Sequence, residues 1–266
     1  MEHSITLVIF TFLSQLAIGG FVALFLIETY KQKLNKRSSF ISLMAIFGAS
    51  VVAVIVSVFH LGHPLHAYKA LLNFAHSWLS REIVFFPLFI LFVLMYTFVA
   101  KTEKMKKVTG WITIVLGAIT IVCTAMIYTI PAVPGWDNGM TVAAFFMTAL
   151  LLGPVFIQFL LSVLEGKIVN FSLYTAIVSG MAILLNVLYI SIAQGGFAEA
   201  VETSVLLTSS PLFWVKMALL VLGFGMAVYA VVKKVNSSVL VAITFFGFVV
   251  AEFIGRILFY STGVHL

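Results

Sequence analysis

Four histidines fall within one short segment of the sequence: His60, His63, His66 and His76. One interpretation is that they are polar side chains at a wet boundary. A second is a metal site, since a spacing of three favours one helix face, but Pro64 interrupts such a helix and no cysteine or close carboxylate completes a ligand set. A third is proton transfer, because an unperturbed imidazole has a pKa of ~6.5 and can accept a proton from a bound hydroxyl. We therefore predict no metal ligands and take proton transfer as the functional hypothesis.

Two pairs of charged residues lie within or beside apolar runs. Glu82 follows Arg81 where one run begins. In a first helical turn with Ser80 as N-cap, Glu82 would complement the helix dipole, whereas near the histidines it could take part in proton transfer. Glu252 and Arg256 share one helix face, where they either form a structural ion pair or line a polar pocket. Both interpretations of each pair stay open on residue types alone.

The amino-acid composition indicates whether these residues lie in a soluble domain or in a lipid bilayer. The chain is 62% hydrophobic and 9% charged, whereas a soluble domain is roughly half apolar and a quarter charged. Most of the lysine and arginine residues lie in short segments between apolar runs, so the net charge of +6 does not indicate nucleic-acid binding. We predict an all-α, polytopic transmembrane bundle of about eight helices, one domain spanning 1–266 in contact with membrane lipid. The predicted spans are Thr6–Ile27, Phe40–Phe59, Ile83–Ala100, Trp111–Ile130, Thr141–Leu164, Tyr174–Ile192, Phe213–Val232 and Val239–Tyr260.

The distribution of positive residues predicts the orientation of the bundle. Segments after spans 1, 3, 5 and 7 hold eleven lysines and arginines, against two in segments on the opposite side. Because positive residues favour the cytoplasmic side, both termini are predicted on the outer, periplasmic side. His60, Glu82, Arg256 and the segment around Trp136 would then meet at one depth near that surface. Such convergence favours the functional interpretations.

Other residues bear on cofactors and on helix contacts. No predicted span carries a histidine in its middle, so no heme is expected, and the single Cys123 cannot hold an iron–sulfur cluster and is expected to be a packed core thiol. Pro64 could open a short amphipathic helix at the membrane surface. Lys216 is expected to extend toward that surface. The residues expected to mediate contacts between helices are Gln15, Gln158, Asn186 and the pair Gly19-Gly20.

Several segments together resemble the membrane-anchor subunit of dimethyl sulfoxide reductase. The most specific is HLGHPLHAYKALLN at 60–73, followed by SWLSREI at 77–83. Supporting segments are AEFIGR at 251–256 before Phe259-Tyr260, Tyr128 followed by VPGW at 133–136, and VIFT at 8–11 followed by Gln15 and Gly19-Gly20. The resemblance covers nearly the whole chain.

The resemblance implies a function and partners. Anchors of this family lie in the bacterial inner membrane, carry neither heme nor iron–sulfur cluster, and oxidise a quinol, usually menaquinol. They pass electrons to a docked iron–sulfur subunit with four clusters, which feeds a molybdopterin catalytic subunit. Carried over to this sequence, His60 and Glu82 are the catalytic residues, while Arg81 stands where members of the family carry asparagine. The predicted quinol-binding residues are His60, Glu82, Arg81, Trp136, Glu252 and Arg256.

Three alternatives remain beside this hypothesis. One is the anchor of a polysulfide- or nitrite-reductase type, which is also heme-free with eight or more spans. Another is a stand-alone secondary transporter, which predicts paired broken helices around a site at mid-membrane. The last is a structural anchor without a quinol site, in which His60 is an ordinary interfacial histidine.

Overall fold

The computed structural model describes residues 2–31, 34–60, 73–166 and 169–266, and for residues 2–4, 59 and 60 it describes the backbone alone. Every regular element in these ranges is helical. The α-helices are α1 (Glu2–Leu26), α2 (Lys36–His60), α3 (Trp78–Leu94), α4 (Glu103–Tyr128), α5 (Gly139–Glu165), α6 (Ser172–Gln194), α7 (Ala198–Ser209), α8 (Pro211–Lys233) and α9 (Ser238–Thr262). Helices α1 and α3 continue as the π-helical turns Ile27–Lys31 and Met95–Val99.

Within the described ranges, eight helices are long and apolar enough to cross a bilayer, which confirms the predicted number of spans. A continuous helix pairs its own backbone polar groups and therefore tolerates hydrocarbon. Several helices extend beyond the predicted apolar runs because polar side chains cap them. Thr102 accepts a hydrogen bond from the Met105 amide, and Asn138 accepts one from the Met140 amide. Gly166, at φ 63°, ends α5 in the left-handed conformation that favours glycine.

The predicted start of the third span was wrong by one helical turn. We expected Ser80 to be the N-cap, but Ser77 has the extended backbone of a cap, and its hydroxyl accepts from the Ser80 amide at 3.3 Å. The helix therefore begins at Trp78, and Glu82 lies in its second turn rather than its first. A role for Glu82 in complementing the helix dipole is weakened, since that effect falls off within the first turn.

Helices α1 and α5 form the centre of the bundle and are the most buried of the spans. They approach backbone to backbone, because a Cβ at Gly19 would lie 2.0 Å from the Ala149 carbonyl oxygen and one at Gly153 would lie 2.0 Å from the Gly19 carbonyl carbon. The predicted close contact at Gly19 is confirmed. Around this centre pack α2, α4, α6 and α9, with α3 against α4 and α8 against α9 and α6.

One end of the bundle carries the residues near both termini of the protein, and we call it the terminal end. Gln15 of α1 meets Arg256 of α9, and Thr11, one turn earlier, meets Tyr260, one turn later, so these helices run antiparallel. Segment 129–138 and the last residues of the protein cover this end, where the Leu266 amide donates to the Ala132 carbonyl at 3.0 Å. The opposite end, at the π-helical turns, is the lysine-rich end.

One helix at the terminal end was not predicted from the sequence, and one predicted helix cannot be compared with the structure. Helix α7 is a short helix in a connection for which no helix was predicted, and the Thr203 hydroxyl on it accepts a hydrogen bond from the Val264 amide at 3.2 Å. The predicted surface helix at Pro64 lies outside the described residues.

Candidate functional site

Glu82 is a buried carboxylate between α3 and α4, with 7% of its surface exposed. Its Oε1 is hydrogen-bonded to the Thr124 hydroxyl, which also reaches the Thr120 carbonyl at 2.9 Å. One hydroxyl hydrogen makes one strong bond at a time. Thr124 can therefore donate to an ionised Glu82, or accept from a protonated Glu82 while donating to Thr120. The pair has a partner in either protonation state.

Arg81 points away from this pair toward the turn that precedes α3. Its guanidinium donates to the carbonyls of Phe74 and Ala75 at 3.1 and 2.7 Å, and its Cζ lies 4.2 Å from the centre of the Trp78 ring. These contacts fix residues 73–76 against the start of α3. His76 lies in the same turn and is exposed.

Glu252 and Arg256 are both buried, and a threonine from α5 joins them. The Thr148 hydroxyl donates to Glu252 Oε2 at 2.6 Å and accepts from the Arg256 guanidinium at 2.9 Å. The same guanidinium donates to Gln15 Oε1 of α1 at 2.5 Å and lies 3.9 Å from the centre of the Phe145 ring. These contacts tie α1, α5 and α9 together, as the structural interpretation of the pair expects.

An aromatic cluster covers this network at the terminal end. The Trp136 ring stacks on Phe259 with 4.8 Å between centroids and 16° between planes. Tyr128 lies edge-on to Trp136 and to Tyr260, at 5.8 and 5.3 Å between centroids. Trp136 is thus a packed residue of the site, with 9% of its surface exposed.

Two buried polar atoms near these residues make no hydrogen bond of ordinary geometry to the described residues: the Tyr260 hydroxyl and Gln15 Nε2. Tyr260 interacts electrostatically with both Glu82 and Arg256, so it links the two charged sites in space. Buried polar groups are nearly always hydrogen-bonded, and an exception calls for a water or ligand atom. Gln15 Nε2 is therefore a buried donor still open to a polar partner, whereas Thr11 and Tyr128 lie within hydrogen-bonding reach of the Tyr260 hydroxyl.

Sequence reasoning missed the role of Lys216. It was expected to extend to the membrane surface, but its Nζ donates to Asn186 Oδ1 of α6 at 2.8 Å and lines a cavity. An ionisable residue in a span is a functional candidate by default, and that signal was present in the sequence. Asn186 in turn donates to the Ala182 carbonyl at 2.8 Å.

The cavity lies between α5, α6, α8 and α9 below the terminal end and has a volume of about 100 Å³. Its lining is mostly apolar, and the polar side chains come from α5, α6, α8 and α9. Glu82 is not among its lining residues. The polar and aromatic groups that line it are Trp136, Thr141, Thr148, Asn186, Tyr189, Lys216, Glu252, Arg256, Phe259 and Thr262.

The structure brings the predicted site residues together in part. Glu252, Arg256 and Trp136 line one cavity, Glu82 is buried on α3, and Arg81 contacts the preceding turn. His60 is the last residue of α2, which packs against α3, but its side chain lies outside the described residues, as do His63 and His66. The described residues contain no cluster of three or more side chains that could hold a metal ion.

A larger cavity of about 550 Å³ lies toward the lysine-rich end, along α1, α4, α5 and α6. Its walls are mostly aliphatic and aromatic, with Tyr30 and Lys31 at one end. Such walls suit a hydrocarbon tail, but they offer few hydrogen bonds to a reacting group.

Comparison with known proteins identifies the family. Residues 1–262 match the family described as "DMSO reductase anchor subunit (DmsC)". The protein belongs to this family of membrane anchors. All the residues of the two charged sites and the cavity lie within the matched range.

Related proteins agree with this assignment. The sequence is 28% identical to the YnfH subunit of anaerobic dimethyl sulfoxide reductase from Escherichia coli (strain K12) over 285 residues, covering 99% of this protein and 95% of the relative. It is 27% identical to the C subunit of anaerobic dimethyl sulfoxide reductase from the same organism, covering 99% and 96%. The corresponding C subunit of Haemophilus influenzae is 27% identical over 57% of this protein and 56% of its own length. This anchor therefore matches two of its relatives over nearly their full length.

Proposed function

We propose that this anchor subunit binds a quinol, most readily menaquinol, near the terminal end of the bundle and oxidises it. One observation carries the proposal. A buried carboxylate, Glu82, lies close enough to the Tyr260 hydroxyl to interact with it, and the buried Gln15 Nε2 has no hydrogen-bond partner among the described residues. A quinol offers the hydroxyl groups that such atoms require, and the surrounding aromatic side chains suit its ring.

His60 and Glu82 are the proposed proton acceptors. A neutral imidazole at His60 accepts a hydrogen bond from one quinol hydroxyl and then its proton, while Glu82 accepts the second. The Thr124 hydroxyl is bonded to the carboxylate and can turn to the Thr120 carbonyl as Glu82 becomes protonated. The side chain therefore keeps a hydrogen-bond partner throughout the reaction, which lowers the cost of changing its charge.

The remaining proposed site residues position the quinol. Arg256 presents its guanidinium to Gln15, Glu252 is joined to Arg256 through Thr148, and Trp136 shapes the aromatic wall. Arg81 contributes indirectly by fixing the turn before α3. Each quinol that is oxidised releases two electrons and two protons. The electrons pass to an iron–sulfur cluster of a partner subunit, and the protons pass to water.

The proposed partners and orientation follow from the family and the charge distribution. An iron–sulfur subunit with four clusters and a molybdopterin catalytic subunit would dock at the terminal end, which faces the periplasm. The lysine-rich end would then face the cytoplasm, as the positive-inside rule requires, in a bacterial inner membrane. Quinol protons and electrons would leave on the same side of the membrane.

The test uses the complete complex purified from its native membrane. The variants His60→Ala and Glu82→Gln are compared with Glu202→Gln, which changes an exposed glutamate of α7. Reduction of dimethyl sulfoxide is measured with a short-chain naphthoquinol and with reduced viologen, which delivers electrons directly to the partner subunits. We expect the quinol-dependent rate to fall about 100-fold or more in both site variants, with the viologen rate unchanged.

Two outcomes contradict the proposal. Full quinol-dependent activity in His60→Ala and Glu82→Gln would leave the protein as a structural anchor. A wild-type protein that purifies alone, still folded, would favour the transporter alternative instead.

A further inference from the structure

The cavity beside Glu252 is too small for the substrate ring and large enough for water. A cavity of roughly 150 Å³ accommodates one benzene ring, whereas a water molecule takes roughly 30 Å³ of liquid volume. At about 100 Å³ the cavity is smaller than one that encloses a single benzene ring, but it has room for a few water molecules. We therefore assign water, rather than a whole quinol head group, to this space.

Polar groups that bind water face into this space from three helices. Lys216 of α8, Asn186 of α6 and Glu252 of α9 all line the cavity. The Lys216 ammonium has three N–H donors, and one of them is used by Asn186 Oδ1 at 2.8 Å. A water needs two to four polar partners to be held in a protein interior, and these walls supply them.

The same groups connect the cavity to the region proposed for the quinol. From Glu252 the hydrogen bonds run to Thr148, then to Arg256 and then to Gln15, with lengths of 2.6, 2.9 and 2.5 Å. The free Gln15 amide nitrogen lies at the far end of this series. At the other side, Trp136 and Thr262 bring the cavity to the terminal end of the bundle.

We propose that this cavity holds water and carries the protons of quinol oxidation toward the terminal end, with Lys216 as the positioning residue that orients this water against Glu252. The inference rests on the proposed function and extends it. Quinol gives up two electrons to the partner's cluster and two protons to the protein. Glu252 receives one of these protons after the primary acceptors, His60 and Glu82, and passes it to cavity water, while the Arg256 guanidinium and the Lys216 ammonium keep their own protons.

A small residue on α9 gives Lys216 the room that this role requires. A Cβ at Gly255 would lie 3.1 Å from both Cε and Nζ of Lys216, which is tighter than ordinary contact. The lysine side chain therefore passes directly over Gly255 to reach Asn186. A lysine that merely anchored α8 at the membrane surface would need no such passage.

The test is Lys216→Met in the purified complex, with Lys233→Met as the matched control at the other, exposed end of α8. Quinol-dependent turnover is measured across pH in H₂O and D₂O, together with the KM for the naphthoquinol. Lys216→Met is expected to lower kcat about 10-fold or more, to shift the pH profile and to increase the solvent isotope effect. The quinol KM should remain near the wild-type value, and Lys233→Met should match the wild type throughout.

The remaining outcomes would contradict either the proton route or the proposed function on which it rests. Unchanged kcat, pH profile and isotope effect in Lys216→Met would overturn the proton route, and so would a raised KM with an unchanged isotope effect, since Lys216 would then contact the head group. If Lys216→Met impairs assembly, Asn186→Leu decides by the same measurements, because it keeps the lysine and removes its acceptor. A wild type without quinol-dependent activity refutes the proposed function itself, whereas loss of activity in Glu82→Gln together with wild-type behaviour of Lys216→Met refutes only the water route.

Discussion

Glu82 and Glu252 are two buried glutamates of the same bundle, and their surroundings differ in one respect. Each has 7% of its surface exposed, and each is hydrogen-bonded to a threonine hydroxyl on a neighbouring helix. Glu252 is joined to the Arg256 cation through a single hydroxyl group, because Thr148 donates to Glu252 and accepts from Arg256. Among the described residues, Glu82 has only Thr124 as a hydrogen-bond partner.

The difference suits the two carboxylates to different tasks. A buried charge beside a cation is stabilised as a pair, so removing either partner is costly. A buried carboxylate with one neutral partner has little to hold its charge and can gain a proton without leaving a cation behind. Glu82 is therefore the better primary proton acceptor, and Glu252 combines helix packing with the polarity of the cavity.

The largest expected effect comes from removing the cation. Arg256→Met leaves Glu252 buried without its charge partner and removes the donor to Gln15 Oε1. We expect the free energy of unfolding to fall by about 3–5 kcal/mol, as for other broken buried pairs. Denaturant unfolding of the complex in detergent micelles measures this change. Glu82→Gln is the matched comparison, and because it leaves no unpaired charge, it should cost about 1 kcal/mol or less.

A double variant separates the pair from simple loss of packing. Arg256→Met combined with Glu252→Gln removes both charges, so it should be more stable than Arg256→Met alone by about 1 kcal/mol or more. Equal destabilisation by Arg256→Met and Glu82→Gln would contradict the contrast between the two glutamates.

Much of the fold could be predicted from the sequence because the bilayer leaves few choices. Apolar runs of this length can only be helices in hydrocarbon, so the number of spans followed directly. The contact at Gly19 was predictable for a similar reason, since small residues let helices approach closely in membranes. The start of α3 was not, because Ser77 and Ser80 are equally good caps by residue type and only the backbone decides between them.

The sequence predicts the depth of each candidate site residue in the membrane, but not the face of the bundle on which it lies. Depth alone placed Glu82, Arg256 and Trp136 at one level, but it carries no information on which face of the bundle each occupies. The structure puts Arg256 and Trp136 on the cavity and Glu82 elsewhere. Lys216 was misjudged because snorkelling and inward orientation fit the same sequence position, and only the partner on α6 distinguishes them.

Replacing each of the two threonines should produce effects of intermediate size, and it tests the contrast between the two glutamates. Thr124→Val deletes the only donor that the described residues supply to Glu82. A hydrogen bond to a charged group contributes about 1.5–3 kcal/mol, which corresponds to roughly a 10- to 100-fold loss in quinol-dependent rate. Thr148→Val should instead lower the free energy of unfolding by about 1–3 kcal/mol, because Glu252 and Arg256 lose the hydroxyl that joins them.

The quinol-dependent rate and the free energy of unfolding are measured for both variants, and the ratio of the two losses is compared. Thr124→Val should lose more activity than stability, and Thr148→Val more stability than activity. Reversed ratios would assign the primary proton acceptor to Glu252, with Glu82 as the structural carboxylate.

The smallest effect tests the position of the Lys216 ammonium beside Glu252 without removing either charge. In Gly255→Ala the new methyl group would meet Lys216 at 3.1 Å, so the lysine must move by a few tenths of an ångström. Gly247→Ala on the same helix is the control, because nothing lies within 4 Å of a Cβ there. Both changes favour the helix equally, by about 1 kcal/mol, so any difference in activity arises from Lys216. We expect quinol-dependent turnover to fall about twofold in Gly255→Ala alone, since small displacements of a positioning group cost rate; equal turnover in the two variants would mean that the position of the ammonium is unimportant.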